Sequence, residues 1–138
     1  MTSDRDNGSS NSRDPDAQTT ERRRAYRWGL SAETRAAWFL RLKGYRILAR
    51  RFKVARGEID LIALKGRVLV FVEVKARSSE ADAFEAVGPR TRRRIEAAAS
   101  NWGARYPYYQ DFTWRYDIVA MLPGRWPRHL IEAFRAGD

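Results

Sequence analysis

The sequence contains no cysteine and only one histidine, His129. The absence of cysteine excludes disulfide bonds and every metal site built on thiolates, and a single histidine excludes sites built on several imidazoles. Catalysis by a serine and histidine pair, or by histidine as general base, is disfavoured for the same reason. Any metal ion must therefore be bound by oxygen atoms, a ligand set that suits Mg²⁺ or Mn²⁺.

Long apolar runs are also missing, because no stretch approaches the ~20 residues of a membrane-spanning helix. The polar, acidic N-terminus does not have the pattern of a signal peptide, so we expect a cytoplasmic protein that does not enter a membrane. With 138 residues, 43% of them hydrophobic, the chain is long enough for one domain with a core. Residues 1–24 have almost no apolar side chains and are predicted to be a disordered tail, which leaves residues 25–138 as a single domain.

Lysine is scarce, since only four of the 27 basic residues are lysine and the positive charge is mostly guanidinium. The first 21 residues hold five acids and two arginines, so the net charge of +10 for the whole chain leaves +13 on residues 22–138. Guanidinium groups bind phosphate oxygens in a bidentate fork, and a nucleic acid is therefore the expected partner. The alternative is that arginine simply keeps the protein soluble.

Hydrophobic periodicity predicts a fold that mixes helices and strands. Helices are expected over residues 32–43 and 91–105, with a short helical piece near residues 82–87. Strands are expected over residues 45–53, 57–64, 67–75, 112–121 and 129–134. The order α-β-β-β-α-β-β predicts an α/β or α+β domain, in which helices pack on a sheet of about five strands.

Charged residues interrupt the most apolar part of the chain. Residues 57–75 contain two β-rich runs around a Lys-Gly dipeptide, which predicts an antiparallel hairpin with those two residues as its loop. In that register Asp60 lies opposite Phe71 and on a diagonal to Glu73, roughly 7–8 Å away at the backbone. Because side chains alternate faces along a strand, Asp60, Glu73 and Lys75 project from the same side. Two carboxylates in this arrangement could share one metal ion.

Both faces of this hairpin are apolar, which predicts that both faces are buried. The first face comprises Ile59, Leu61, Ala63, Val68, Val70, Val72 and Val74. The second face comprises Ile62, Leu64, Leu69 and Phe71. Carboxylates at the end of such strands are costly unless a cation, a metal ion or several donors meet them. The alternative is an ordinary ion pair between Glu73 and Lys75 where the sheet reaches solvent.

Three sequence blocks carry a resemblance to a known family. Glu33, Asp60 and Glu73-Val74-Lys75, in this order, resemble the PD-(D/E)xK nuclease superfamily, also called restriction-endonuclease-like, and the layout is similar to that of archaeal Holliday-junction resolvases. The blocks that look like the signature of the bacterial YraN-type family of predicted endonucleases are Gly57-Glu58-Ile59-Asp60-Leu61-Ile62, Phe71-Val72-Glu73-Val74-Lys75 and Arg115-Tyr116-Asp117-Ile118-Val119-Ala120. The similarity runs from about residue 30 to residue 134, and it implies a restriction-endonuclease-like core with a central mixed sheet.

The resemblance also implies roles for the matching residues. Asp60 and Glu73 would bind a divalent cation, Mg²⁺ or Mn²⁺, together with the backbone carbonyl of Val74. Lys75 would orient or help to deprotonate the attacking water, and Glu33 would be a further metal ligand or lie behind the ligands. The implied chemistry is the metal-assisted hydrolysis of phosphodiester bonds.

Two positions depart from the pattern of the family. Ile59 stands where the superfamily has the proline of its name, a residue without a chemical role. Thr91 stands near the start of the second main helix, where YraN-type relatives usually have a lysine. Arginines flank this threonine, so phosphate binding is expected to persist. The expected nucleic-acid-binding residues are Arg90, Arg92, Arg93 and Arg94.

Two functions from different classes remain open after this reasoning. The first is a metal-dependent endonuclease that acts on DNA, including branched or otherwise structured DNA. The second is an adaptor that keeps the nuclease fold and binds nucleic acid without cutting it. Junction-cutting relatives act as dimers, so the resemblance also leaves a homodimer open.

Overall fold

The computed structural model describes residues 31–138, so the predicted tail over residues 1–24 lies outside the described residues. The helices are α1 (Ala32–Leu42), α2 (Glu80–Glu85) and α3 (Pro89–Arg105), and a single 3₁₀ turn covers Pro107–Tyr109. The strands are β1 (Arg46–Val54), β2 (Gly57–Lys65), β3 (Val68–Ala76), β4 (Thr113–Met121) and β5 (Arg128–Phe134). This is the element order predicted from the sequence. Within residues 31–138, no helix combines the length and the apolar character needed to cross a bilayer.

The two long helices follow local sequence rules. Helix α1 ends just before Gly44, whose φ of 95° is the left-handed conformation that glycine adopts readily after a helix. Helix α3 begins at Pro89, a residue suited to the first helical position because its missing N–H would have no partner there. The buried stripe of α3 repeats at the predicted helical spacing through Ile95, Ala98, Ala99 and Trp102.

The five strands form one mixed sheet in the order β1-β2-β3-β4-β5. Only β3 and β4 are parallel, and the other neighbouring strands are antiparallel. A parallel pair needs a long crossover connection, which α2 and α3 supply between β3 and β4. The predicted mixed sheet of about five strands flanked by helices is confirmed, an architecture consistent with a restriction-endonuclease-like core.

The register of the β2–β3 hairpin differs from the prediction by two residues. Lys65 belongs to β2 and pairs with Val68, so the loop is Gly66-Arg67. Gly66 has a φ of 61°, and the first loop position of a type II′ turn favours glycine for this reason. Asp60 therefore lies level with Glu73 and not opposite Phe71. A shift of two residues does not by itself move a side chain to the other face, because the strand period is two.

The hairpin is buried on both faces, as its sequence predicted. On one side Ile62, Leu69 and Phe71 pack with the apolar stripe of α3, and we call this the α3-side core. On the other side Leu61 and Val70 pack with α1 in the α1-side core, whose further buried members are Ala36, Ala37, Leu40, Tyr45, Ala63, Val72, Val119 and Met121. The sheet thus separates two apolar layers, and β2 and β3 contribute to both.

One residue of the hairpin lies on the face opposite to its prediction. Ile59 belongs to the α3-side core, whereas Leu61 belongs to the α1-side core. The alternation therefore breaks at Asp60. Its neighbour in β1 by register is Arg51, whose φ of 54° is left-handed and strained for a residue with a side chain. Both strands are therefore irregular at this level of the sheet, β2 in its alternation and β1 in its backbone conformation.

Gly57 is required where β2 begins, because this strand passes directly against α3. A Cβ atom at position 57 would lie 1.8 Å from the carbonyl oxygen of Arg94. Backbone atoms cannot yield as a flexible side chain does, so Gly57→Ala must separate β2 from α3. We expect this variant to lose about 2–3 kcal/mol of unfolding free energy, measured by denaturant titration.

Gly88→Ala is the matched control, since a Cβ at position 88 meets no atom within 4 Å. Gly88 precedes the first residue of α3, so its alanine variant should lose less than about 1 kcal/mol, the cost of a poorer helix cap. Equal stabilities for the two variants would contradict the close approach of β2 to α3.

Candidate active site

Asp60 lies where β2 and β3 stop pairing through their backbones. The pairing of these strands extends to Leu61 and Val72, and beyond it the N–H of Val74 donates to Oδ2 of Asp60 at 2.8 Å. The Asp60 carboxylate thus accepts the hydrogen bond that a backbone carbonyl of β2 would accept if the pairing continued. In a β-strand the N–H and C=O of one residue point to the same side, so the Val74 carbonyl also faces the β2 side.

Glu73 and Lys75 complete a cluster with Asp60 at the end of β3. Nζ of Lys75 lies 3.6 Å from Oε2 of Glu73, and the side chain of Glu73 is only 12% exposed. Besides burial, the negative charge of Asp60 acts on Glu73 and raises its pKa. The structure therefore brings together the three residues that the sequence predicted. The ion pair between Glu73 and Lys75 is real, but it is partly buried and adjoins a second carboxylate.

The carboxyl groups of Asp60 and Glu73 both have raised pKa values, because burial disfavours the ionised form of each. Burial, and after it the negative charge of Asp60, raise the pKa of Glu73 to about 7, and Lys75 offsets only part of this effect. Burial also raises the pKa of Asp60, against the hydrogen bond from the Val74 N–H, which favours the ionised form. Two carboxylates that share a partly buried site favour a shared proton or a bound cation.

Glu33 lies beside this cluster and is held by two arginines. Oε1 of Glu33 accepts from Nε of Arg51 at 3.0 Å and from Nη2 of Arg50 at 3.4 Å. Its negative charge reaches Asp60 and contributes to the raised pKa of that carboxyl. Glu33 is therefore a neighbour of the cluster whose carboxylate is already engaged by guanidinium groups.

The donor set of the cluster suits a hard divalent cation. Asp60 and Glu73 offer carboxylate oxygens, and the Val74 carbonyl faces the same side. Oxygen atoms of these kinds are the ligands that Mg²⁺ and Mn²⁺ take. Among residues 31–138 there is no group of three or more His, Cys, Asp or Glu side chains placed to hold an ion. The protein ligands would thus be two carboxylates and one backbone carbonyl. Glu33 would lie next to these ligands without binding the ion itself.

The arginines predicted to bind nucleic acid occupy the first turns of α3. Arg90, Arg93 and Arg94 are exposed, and the close approach of the Arg94 backbone to Gly57 places this helix end near the start of β2. Arg92 differs from them, since its Nε donates to the Val87 carbonyl at 2.9 Å. Its guanidinium also lies over the rings of Phe84 and Phe134. Arg92 therefore packs against the domain while its three neighbours face solvent.

A second charged cluster, which the sequence only hinted at, lies in the α1-side layer. Asp117 is fully buried and accepts from Nε and Nη2 of Arg115, at 2.9 and 2.8 Å. Nε2 of His129 lies 2.6 Å from Oδ2 of Asp117, and Nζ of Lys43 lies 2.6 Å from Nδ1 of His129. Arg115 and Asp117 thus form an ion pair. The contacts of His129 with Asp117 and Lys43 were not predicted from the sequence. The one available clue was that the chain has a single histidine, which served in the sequence analysis only as an argument against histidine-based sites.

This cluster ties together the end of α1, β4 and β5. Burial by itself would raise the pKa of Asp117, but the hydrogen bonds from His129, Arg115 and the Glu132 N–H outweigh it and hold the pKa below its ordinary value. Burial and the nearby Lys65 lower the pKa of Lys43. The arrangement is an ion-pair network that stabilises the packing of three elements.

The raised pKa of Glu73 predicts a dependence of stability on pH. Its folded pKa of about 7 lies above the ordinary value of 4.5, so protonated Glu73 stabilises the fold at low pH. That contribution is lost as the pH rises toward and through 7. In buffer without divalent cations, Glu73→Gln should gain on the order of 1–3 kcal/mol relative to the wild type between pH 5 and 8.

Thermal unfolding of both proteins across this pH range measures the effect. Glu58→Gln is the control, because Glu58 lies in β2 but its side chain is 50% exposed. Stability curves of wild type and Glu73→Gln that run parallel with pH would contradict the assignment.

The buried network predicts a large cost for neutralising its acid. Asp117→Asn leaves Arg115 and His129 without their anion, so we expect a loss of about 3–5 kcal/mol of unfolding free energy at pH 7. Because the folded pKa of Asp117 is depressed, the advantage of the wild type should shrink as the pH falls below 4. Glu80→Gln is the control, since it removes only the exposed pair with Arg128. Similar losses for both variants would refute the role of the network.

Comparison with known proteins identifies the family. Residues 32–121 match the family described as "Uncharacterised protein family UPF0102". A UPF0102 protein of Parvibaculum lavamentivorans is 54% identical over 111 residues, which cover 80% of this chain and 84% of that protein. UPF0102 proteins of a Chelativorans species and of Mesorhizobium japonicum are 54% and 53% identical, over 83% and 84% of this chain and 93% of each relative. The YraN-type resemblance is thereby confirmed, and the chain belongs to the UPF0102 family.

Proposed function

We propose that this protein is a metal-dependent endonuclease of the PD-(D/E)xK superfamily that hydrolyses phosphodiester bonds in DNA. The observation that supports it most is the meeting of Asp60, Glu73 and Lys75 at the splayed end of the β2–β3 hairpin. Two mutually repelling carboxyls in a partly buried site lower the stability of the fold, so the arrangement suits a bound cation better than a structural role.

Asp60 and Glu73 would hold Mg²⁺ or Mn²⁺, with the Val74 carbonyl as a third oxygen donor. When bound, such an ion supplies positive charge that polarises the phosphate oxygens and favours deprotonation of a nearby water. The hydrogen bond from the Val74 N–H orients the Asp60 carboxylate before any ligand arrives. The arginines on Glu33 keep that carboxylate ordered beside the site.

Lys75 is the only cation paired with the two acids among the described residues. Its ammonium group, 3.6 Å from Glu73, can donate to the attacking water or to the phosphate. It also offsets negative charge that develops on the phosphate during cleavage. Lys75 thus has a role in the reaction that its ion pair alone would not require.

The expected substrate follows from charge. Arg90, Arg93 and Arg94 project into solvent from the end of α3 that adjoins β2. Guanidinium groups near the carboxylate cluster would bind backbone phosphates on either side of the bond to be cut. The high net positive charge of residues 22–138 favours a polyanion in the same way.

The alternative is an adaptor that binds nucleic acid without cleaving it. Two observations favour it: no third acid joins Asp60 and Glu73 within residues 31–138, and Thr91 stands where related chains usually have a lysine. An adaptor would bind DNA with a steep dependence on salt and would not need the divalent ion.

Cleavage assays test the endonuclease directly. We expect Glu73→Gln and Lys75→Met each to lower the rate of DNA cleavage in Mn²⁺ by about 10²-fold or more, because each removes a group that acts in the reaction. The substrates are linear duplex, flapped, single-stranded and four-way-junction DNA. The DNA affinity of both variants, measured in EDTA, should stay within a few-fold of the wild type.

A matched pair of controls is present on the same sheet. Lys53 and Glu58 form an ion pair of 3.9 Å between β1 and β2, with both side chains largely exposed. Lys53→Met and Glu58→Gln remove the same chemical groups and should leave cleavage unchanged. Cleavage that survives in Glu73→Gln and Lys75→Met at the wild-type rate would refute the proposal.

Calorimetric titration with Mn²⁺ separates the endonuclease from the adaptor. Saturable binding to the wild type that disappears in Asp60→Asn supports the metal site. The absence of saturable binding to the wild type, with or without DNA, together with unimpaired DNA binding, supports the adaptor.

A further inference from the structure

A groove on the α1 side of the sheet adjoins the carboxylate cluster. It runs between α1, the end of β3 and the turn that follows β4, and we call it the Arg-Trp groove. The lining residues that matter for its chemistry are Arg35, Trp38, Ala76, Arg77, Arg125 and Trp126. Arg35 contributes to each of its three depressions, so they form one continuous surface.

One end of the groove begins beside the site. Ala76 and Arg77 line it and directly follow Lys75 at the end of β3. The backbone N–H of Arg77 donates to the Met121 carbonyl at 3.2 Å, which holds this segment against the end of β4. A chain that lies in the groove would therefore reach the end of β3, the strand that carries Glu73 and Lys75.

The other end of the groove exposes large aromatic rings. The side chains of Trp38 and Trp126 are 60% and 72% exposed, although indole rings are usually buried in a folded domain. The guanidinium of Arg41 lies over the Trp38 ring at 5.0 Å, and the ring centroid of Phe39 lies 6.4 Å from that of Trp126. Neighbouring side chains thus restrain both indoles while a large part of each remains open to solvent.

The charge of the groove has one sign. Arg35, Arg77 and Arg125 line it, and none of its lining residues is acidic. Among the residues that the structure describes, none of these three guanidiniums forms an ion pair. Cations without an acidic partner, beside exposed rings, match the two parts of a nucleotide, which are a phosphate and a flat base.

We propose that the Arg-Trp groove binds an unpaired strand of nucleic acid next to the bond that is cut. Trp38 and Trp126 stack on its bases, and Arg35, Arg77 and Arg125 bind its phosphates. The proposal rests on the endonuclease function, and it narrows the substrate class to nucleic acids with a single-stranded stretch adjoining the cleavage point.

Two other occupants fit the groove less well. A paired duplex hides the faces of its bases, so the exposed indoles would have no stacking partner. A second copy of this chain would place the same surface against itself in a two-fold dimer, since such interfaces are self-complementary. The unpaired arginines of the two copies would then repel each other. A strand with free bases satisfies both the charge and the rings.

Fluorescence anisotropy in EDTA measures binding without cleavage. The probe is an oligothymidylate of about 15 nucleotides, and a blunt duplex of mixed sequence is the comparison. Trp38→Ala and Trp126→Ala should each weaken binding of the single strand by roughly five- to a hundredfold, the value of one lost stacking contact. Arg125→Ala should lower the slope of log affinity against log salt by about one for that probe.

Controls separate stacking from general damage. Trp126→Phe keeps a ring that can stack and should retain most of the affinity. Tyr108→Ala removes a ring that is 75% exposed but lies outside the groove, and it should leave binding unchanged. An oligouridylate of the same length tests RNA against DNA. Duplex affinity should be nearly the same in all these variants.

The outcomes distinguish this proposal from the endonuclease proposal. Unchanged single-strand affinity in the double variant Trp38→Ala/Trp126→Ala would overturn the groove, whatever Glu73→Gln does to cleavage. Equal losses for single strand and duplex would overturn it as well. So would a wild-type dimer in sedimentation that Trp126→Ala dissociates while single-strand affinity is kept. Loss of single-strand binding in a protein that cuts no DNA would instead support the groove and refute the endonuclease.

Discussion

The hydrogen bond from the Val74 N–H to the Asp60 carboxylate marks the point on which the candidate site depends. Up to Leu61 and Val72 the hairpin satisfies its polar groups by backbone pairing, and beyond it a side chain replaces the backbone acceptor. The backbone pairing of β2 and β3 therefore ends at the Asp60 carboxylate, which lies between the two apolar cores. Glu73 meets that charge because the register brings it level with Asp60, and Lys75 joins them through its ion pair with Glu73.

Contacts around the site must offset the cost of this arrangement. Burial and mutual repulsion disfavour ionisation of Asp60 and Glu73, so the fold must hold them together by other contacts. The two cores on either face of the hairpin supply apolar packing. The strained backbone at Arg51 and the close approach at Gly57 fix the positions of β1 and α3 around the site. Strain of this kind collects where a site must be preorganised.

The charged residues of the protein divide into groups with different physical roles. Asp117, Arg115 and His129 neutralise one another inside the fold and stabilise it. Within residues 31–138, the arginines of the Arg-Trp groove and the exposed Arg90, Arg93 and Arg94 form no ion pair. Burial and pairing, which the sequence does not display, decide whether a charge stabilises the fold or serves binding.

The sequence by itself determined the element order, the two-sided burial of the hairpin and the shared location of Asp60, Glu73 and Lys75. These follow from local periodicity, and the two-residue error in register does not by itself move a side chain to the other face, because side chains alternate with a period of two. Tertiary structure decided the face of Ile59. It also decided the partners of His129 and Glu33 and the joining of Trp38 and Trp126 in one groove. Those features depend on contacts between segments that are far apart in the sequence. A local sequence pattern does not determine which of these segments lie next to each other in the fold.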